Sequence, residues 1–132
     1  MSIPADDLIE RLRDAYERFN AEDFDAAIEM AHPDIVFARP GGQSELRGVD
    51  ALRAWMEPDA FESQVMRPEE FEAAGSRVLV RQRATARGAV SGIEVEIDSW
   101  TLWTFDDDGR ATRMEFFLNH QEDEARRALH AD

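Results

Sequence analysis

The sequence contains no cysteine and no lysine. Without cysteine, disulfides, thiolate nucleophiles and thiolate metal sites are excluded, and the redox compartment is left open. Without lysine, all 15 basic residues are arginine, the usage that a high-GC genome gives. No window approaches the roughly eighteen apolar residues of a membrane span, and the opening "MSIPADDLIERL" has neither the basic nor the apolar part of a leader. A cytoplasmic protein that does not meet membranes is the expectation. Positive charge is also scarce: 29 Asp and Glu leave a formal net charge of −14. Such a chain repels phosphate backbones, so no nucleic-acid partner is expected; the same carboxylated surface would suit a salt-adapted protein. The three histidines, His32, His120 and His130, are too dispersed for metal-ligand spacing, and "FDDDGR" lacks the length and later glutamate of a calcium loop. No metal and no cofactor is therefore expected.

What is present suits one domain over residues 1–132, long enough to build its own core. Leu8, Leu12, Ala15 and Phe19 recur at helical spacing, flanked by Ile9 and Tyr16, behind Pro4 and the acidic first turn Asp6-Asp7. The spacing predicts an amphipathic helix over 4–21. Phe24, Ala27, Ile28 and Ala31 give a second short stripe ended by His32-Pro33. "DIVFARP" reads as a short strand stopped by Pro40, "PGGQSELRG" as a turn, and Val49, Leu52, Trp55 and Met56 as a third helix closing near Pro58. Residues 64–74, 77–88, 93–105 and 110–118 are β-rich and separated by turn signals, which predicts a four-stranded antiparallel meander. The tail "NHQEDEARRALHAD" reads as a short C-terminal helix with Asn119 as N-cap. The expected fold class is α+β: a cone-shaped, curved antiparallel sheet wrapped around N-terminal helices, with its mouth as the natural pocket.

Strand register decides which side chains meet that pocket. If residues 89–92 close the first hairpin, Arg87 faces Glu94, Thr85 faces Glu96 and Arg83 faces Asp98, so these charges share the outer face. Continuing the count, Arg81 faces Trp100 and Leu79 faces Leu102. Pairing Phe105 with Arg110 sets Glu115 beside Trp100 and Phe117 beside Asp98. Leu79, Trp100, Leu102 and Phe117 would then stand in water beside Arg81 and Glu115, and an exposed patch of that kind predicts a homodimer through the outer sheet face. The concave face receives Val78, Val80, Gln82, Ala84, Ile97, Ser99, Thr101, Trp103, Met114, Phe116 and Leu118. Gln82, Ser99 and Thr101 either satisfy one another inside a plain core or form a hydrogen-bonding spot in an apolar pocket.

The segments "FNAEDFDAAIEMAHPDIVF", "ELRGVDALRAW" and "WTFDDDGRATRMEFFLNHQEDEARRAL" together resemble the nuclear transport factor 2-like superfamily, in its SnoaL-like branch of small bacterial proteins. The resemblance covers nearly the whole chain and implies the cone fold, commonly as a homodimer, with a pocket that some members use for catalysis and others for binding. The catalytic patterns of such families do not carry over. The ketosteroid isomerase base matches Arg39, its oxyanion-hole tyrosine falls at Ala15 with Tyr16 one position away, and its neutral aspartic acid matches Thr101. The last-strand aspartate of limonene epoxide hydrolase-like members matches Phe116. SnoaL-type cyclases use an acid or histidine base, and the concave list contains neither. Asp34 and His32 lie at a helix-strand junction, where a capping role is the ordinary one.

These readings point to a binding domain for a small, largely apolar molecule, contacted by Tyr16, Arg39, Trp55, Gln82, Ser99, Thr101, Trp103 and Phe116, with no catalytic residue assigned. The alternative is an isomerase, cyclase or hydrolase using Tyr16 as proton donor and Arg39 to steady an oxyanion. A third reading is a cone filled by its own side chains, serving structure or protein interaction.

Overall fold

The computed structural model describes residues 3–38, 45–56, 61–88 and 91–131; the side chains of Trp55 and of residues 61–63 also lie outside the description. Helix α1 (Ala5–Asn20) buries Leu8, Leu12, Ala15, Tyr16 and Phe19, the stripe its periodicity sets out, and carries Asp6 and Asp7 at its N-terminus and Arg18 at the other end. This charge order opposes the helix dipole at both ends. Helix α2 (Phe24–Ala27) is a single turn, capped by the Asp23 carboxylate, which accepts from Ala26 N. It ends earlier than its apolar spacing suggests because the sheet captures the chain there: Ala111 N donates to Met30 O at 2.8 Å. Strand β1 (Ala31–Ala38) follows at once and runs through Pro33, whose missing N–H coincides with a break in pairing between Ala31 and Val36.

The chain continues through β2 (Glu45–Arg47), α3 (Val49–Met56), β3 (Phe61–Ala74), β4 (Arg77–Gly88), β5 (Glu94–Phe105), β6 (Ala111–Leu118), a 3-10 turn at Asn119–Gln121 and α4 (Glu122–Leu129). The sheet order is β2-β1-β6-β5-β4-β3, with β1 parallel to β6 and every other neighbouring pair antiparallel. Two local expectations are corrected. Residues 45–47, expected within a turn, pair with β1 as a strand. Asn119 opens the 3-10 turn without capping it, and the capping contact comes from Gln121, whose Oε1 accepts from Leu118 N at 2.8 Å. Pro40 and Pro58, expected to end β1 and α3, lie outside the described residues.

The β4–β5 register follows from charge alternation: Arg87 opposes Glu94, Thr85 opposes Glu96 and Arg83 opposes Asp98. The β5–β6 register is two residues away from expectation, with Trp100 opposite Phe117 and Leu102 opposite Glu115. The cause is a wider hairpin, in which the Asp106 carboxylate accepts from Asp108 N and Arg110 N and the ladder shifts between Thr104 and Phe105. A two-residue shift keeps each side chain on its face.

The main core lies between the concave face of the sheet and α1, α2 and α3, around Leu8, Leu12, Ile35, Leu52, Val78, Val80 and Trp103. A second core lies on the outer face and corrects the expectation of a bare patch. Leu79, Trp100, Leu102 and Phe117 are buried there against Ala125 and Leu129 of α4. The chain thus covers by itself the apolar side chains that a partner was expected to cover, and only Arg81 and Glu115 of that set stay half-buried. Polar contacts fix the helix in place: Arg126 reaches Glu72 at 2.7 Å, and Arg77 donates to the carbonyls of Ala128 and Ala131 near its C-terminus. At the opposite side, the Asn20 side-chain amide pairs with the Met66 backbone, donating to Met66 O and accepting from Met66 N, each at 2.7 Å.

Candidate functional site

The concave face meets α1 at a polar group of five side chains. Period-two alternation places Ser99, Thr101 and Trp103 of β5 on that face, and Gln82 of β4 is registered directly opposite Ser99. Helical spacing brings Tyr16 down onto them from α1. Its hydroxyl donates to Gln82 Oε1 at 2.6 Å, and Gln82 Nε2 donates onward to Ser99 Oγ at 3.2 Å. Trp103 Nε1 donates to the Tyr16 oxygen at 3.4 Å, with the two rings edge to face at 6.4 Å between centroids. The Thr101 hydroxyl, near the same oxygen, also favours its charged form. Burial pushes the Tyr16 phenol up to about 12, and the contacts from Trp103 and Thr101 pull in the opposite direction without overcoming it. Tyr16 is therefore neutral at physiological pH, with its one proton committed to Gln82 and a lone pair to Trp103.

Beside this group lies a cavity of about 40 Å³ lined by Tyr16, Phe19, Thr101, Trp103 and Phe116 together with Ala15, Ala27 and Leu52. The rest of its wall is Met30, Met56, Met66 and Met114. These are all the methionines of the chain apart from Met1. No described lining residue carries a carboxylate, an imidazole or a guanidinium. Tyr16 already donates to Gln82 and accepts from Trp103, which leaves the Thr101 hydroxyl, among the described lining side chains, as the polar group open to a guest.

Of the side chains expected at the site, Tyr16, Thr101, Trp103 and Phe116 line the cavity, whereas Gln82 and Ser99 are fully buried behind Tyr16. Arg39 and the side chain of Trp55 lie outside the described residues. His32 has a local structural role, its Nδ1 accepting from Asp34 N at 3.0 Å; His120 and His130 are exposed. Sequence reasoning placed Met114 on the concave face and Met56 on the third helix but assigned none of the four methionines to the site. The signal was available for Met56 and Met114, which the periods of their elements turn toward the core, whereas Met30 lies between α2 and β1, where no period applies.

The family model of the SnoaL-like domain matches residues 12–114. The chain belongs to the SnoaL-like domain family. No curated protein matches the sequence. Among solved structures, an NTF2-like protein of unknown function from Burkholderia pseudomallei is 22% identical with a TM-score of 0.73, over 94% of this chain and 98% of that one. TerC, co-crystallised with polyporic acid, is 25% identical with a TM-score of 0.73, over 92% and 96%. SalBIII, an epoxide hydrolase/cyclase-like enzyme with a role in pyran ring formation in the polyether salinomycin, is 19% identical with a TM-score of 0.75, over 89% and 94%. These neighbours share the fold of this SnoaL-like domain. Among the described residues, no helix is long and apolar enough to cross a membrane.

Proposed function

We propose that this SnoaL-like domain binds a small, neutral, largely apolar molecule in the methionine-lined cavity, with one polar group of the guest donating to Thr101 Oγ1. The observation that carries the reading is the wall itself: among the described residues it is apolar, broken only by a neutral, internally bonded Tyr16, Trp103 Nε1 and Thr101. A charged guest would lose its hydration there with no opposite charge among the described wall residues to compensate.

As packed, a cavity of about 40 Å³ accommodates little more than a few waters, which each need about 10–15 Å³ on this measure. A larger guest enters by moving the methionines, whose unbranched thioether chains change rotamer at low cost. That the related TerC was co-crystallised with polyporic acid supports the idea that a cone of this type admits an organic molecule.

An isomerase, cyclase or hydrolase with Tyr16 as proton donor is less well supported. Its proton is held by Gln82, and the phenol at about 12 is a weak acid. Native mass spectrometry of the purified protein, followed by extraction and identification of any co-purifying compound, tests the binding reading. Recovery of a neutral apolar compound whose retention falls in Thr101→Val supports it. A charged, strongly polar guest that binds Thr101→Val equally well overturns it.

A further inference from the structure

The concave face does not stop at the cavity. Along β5, the row Thr101, Ser99, Ile97, Val95 continues on the same side of the sheet toward the hairpin tip, with Ile93 just before the strand. Ala84 opposes Ile97 on β4, Ala86 opposes Val95, and Leu118 of β6 opposes Ser99. The far end of this row is bare: Ile97 is 51% exposed, Val95 40%, Leu118 42% and Ile93 65%.

Two cavity-lining residues join the closed part to the open part. Phe116 precedes Leu118 by two positions on β6, and Met66 opposes Ala84, itself opposite Ile97. At about 3.4 Å per residue, the row from Thr101 to Val95 is about 20 Å long. The charges of this hairpin, Arg83, Arg87, Glu94, Glu96 and Asp98, alternate onto the other face.

We infer that the guest is an elongated neutral molecule with a polar head and an apolar tail: the head sits at Thr101, and the tail leaves the cavity past Phe116 and Met66 to lie along Val95, Ile97 and Leu118. This deepens the binding reading above and rests on it. A second copy of the chain is the weaker occupant. A stable protein interface needs about 800 Å² per partner, whereas the bare row is a few side chains wide and adjoins the cavity wall on the same face through Phe116 and Met66. Exposed large apolar residues scattered singly need no explanation, but a contiguous row leading out of a pocket does.

The test uses linear primary alcohols from butanol through hexanol, octanol and decanol to dodecanol, with binding measured by equilibrium dialysis of the radiolabelled compounds. The protein is compared with the double variant Val95→Thr, Ile97→Thr, which keeps β-branched side chains on the strand at exposed positions. In the unaltered protein, affinity rises about fourfold per added methylene through the longest members. In the variant, butanol and hexanol bind as before, while decanol and dodecanol lose tenfold or more.

Equal increments in both proteins, or an equal loss at every length, overturn the tail path while leaving the cavity reading intact. Failure of every alcohol to bind the unaltered protein overturns both. Sedimentation velocity supplies the remaining arm: a dimer that the double variant dissolves assigns the row to a second copy and overturns the inference.

Discussion

Tyr16 and Gln82 are bonded across 66 residues of sequence at 2.6 Å, both buried, and the direction of that bond is fixed. The Tyr16 hydroxyl donates to the Gln82 carbonyl while its oxygen accepts from Trp103, and the Gln82 amide is turned toward Ser99. Tyr16→Phe leaves the carbonyl without a donor and is expected to cost about 1–3 kcal/mol. Gln82→Leu removes the acceptor at a similar cost. The double variant is expected to lose less than the sum of the two, because neither orphan remains. Urea unfolding of the three proteins measures the cycle; simple additivity would mean that the two residues do not act as a pair.

Tyr16 is the only tyrosine, and the chain has neither lysine nor cysteine. A spectrophotometric tyrosinate titration therefore reports one group, with no other side chain expected to titrate between about pH 9 and 12. Its midpoint is expected near 12 rather than the ordinary 10.0. Since the folded state holds the phenol neutral, its stabilising contribution is complete below the unfolded value and is lost as pH rises through the folded one. Stability should fall by about 1.4 kcal/mol per pH unit across that window, and the slope should vanish in Tyr16→Phe. Trp103→Phe, which removes a donor that favours the phenolate, should move the titration higher still.

The double hydrogen bond between Asn20 and Met66 places the end of α1 against an edge strand and holds one wall of the cavity. Asn20→Ala is expected to destabilise by about 1–2 kcal/mol. It should also speed hydrogen exchange at Met66 N–H far more than at Val80 N–H in the sheet interior. Uniform acceleration across both would indicate a global effect instead.

Trp100 and Trp103 are neighbours on β5 that face opposite ways, and the same substitution should separate them. Trp100 Nε1 is buried under α4 with no hydrogen-bond partner among the described residues, its ring flanked by Arg81 and Arg126 at 5.8 and 5.4 Å. Trp100→Phe thus loses packing and cation–π attraction but removes an unsatisfied donor, and thermal unfolding should show a small change. Leu129→Ala, which removes an almost fully buried α4 side chain, should cost about 2–5 kcal/mol. It should also increase binding of a dye that senses apolar surface.

The parts of the fold legible in the sequence were those set by period. The α1 stripe and the Arg and Glu alternation of β4 and β5 fix a face and a register without help from elsewhere. The β5–β6 register depended on the Asp106 carboxylate gathering two backbone N–H groups, a choice that "DDDG" offers but does not dictate. The docking of α4 was hidden because Ala125 and Leu129 are its only deeply buried side chains on an otherwise charged helix, too little periodic signal to say what it covers. At the site, Tyr16, Thr101, Trp103 and Phe116 could be placed by alternation and helical spacing. Gln82 and Ser99 could be placed on the right face but not in the right layer, because depth behind Tyr16 is a tertiary fact. Met56 and Met114 could be placed by period but not as cavity wall, and Met30 belongs to no periodic element, so its place in the wall is a tertiary fact.

The four thioethers around the cavity have a consequence of another kind. Each is one oxygen atom from a sulfoxide, which is polar, chiral and reversible by dedicated reductases. Peroxide would thus write a chemical record into the wall at Met30, Met56, Met66 and Met114, turning an apolar enclosure into one that favours water. In a chain without cysteine, these sulfurs are the most readily oxidised atoms, and the cavity is where oxidant exposure and guest binding meet.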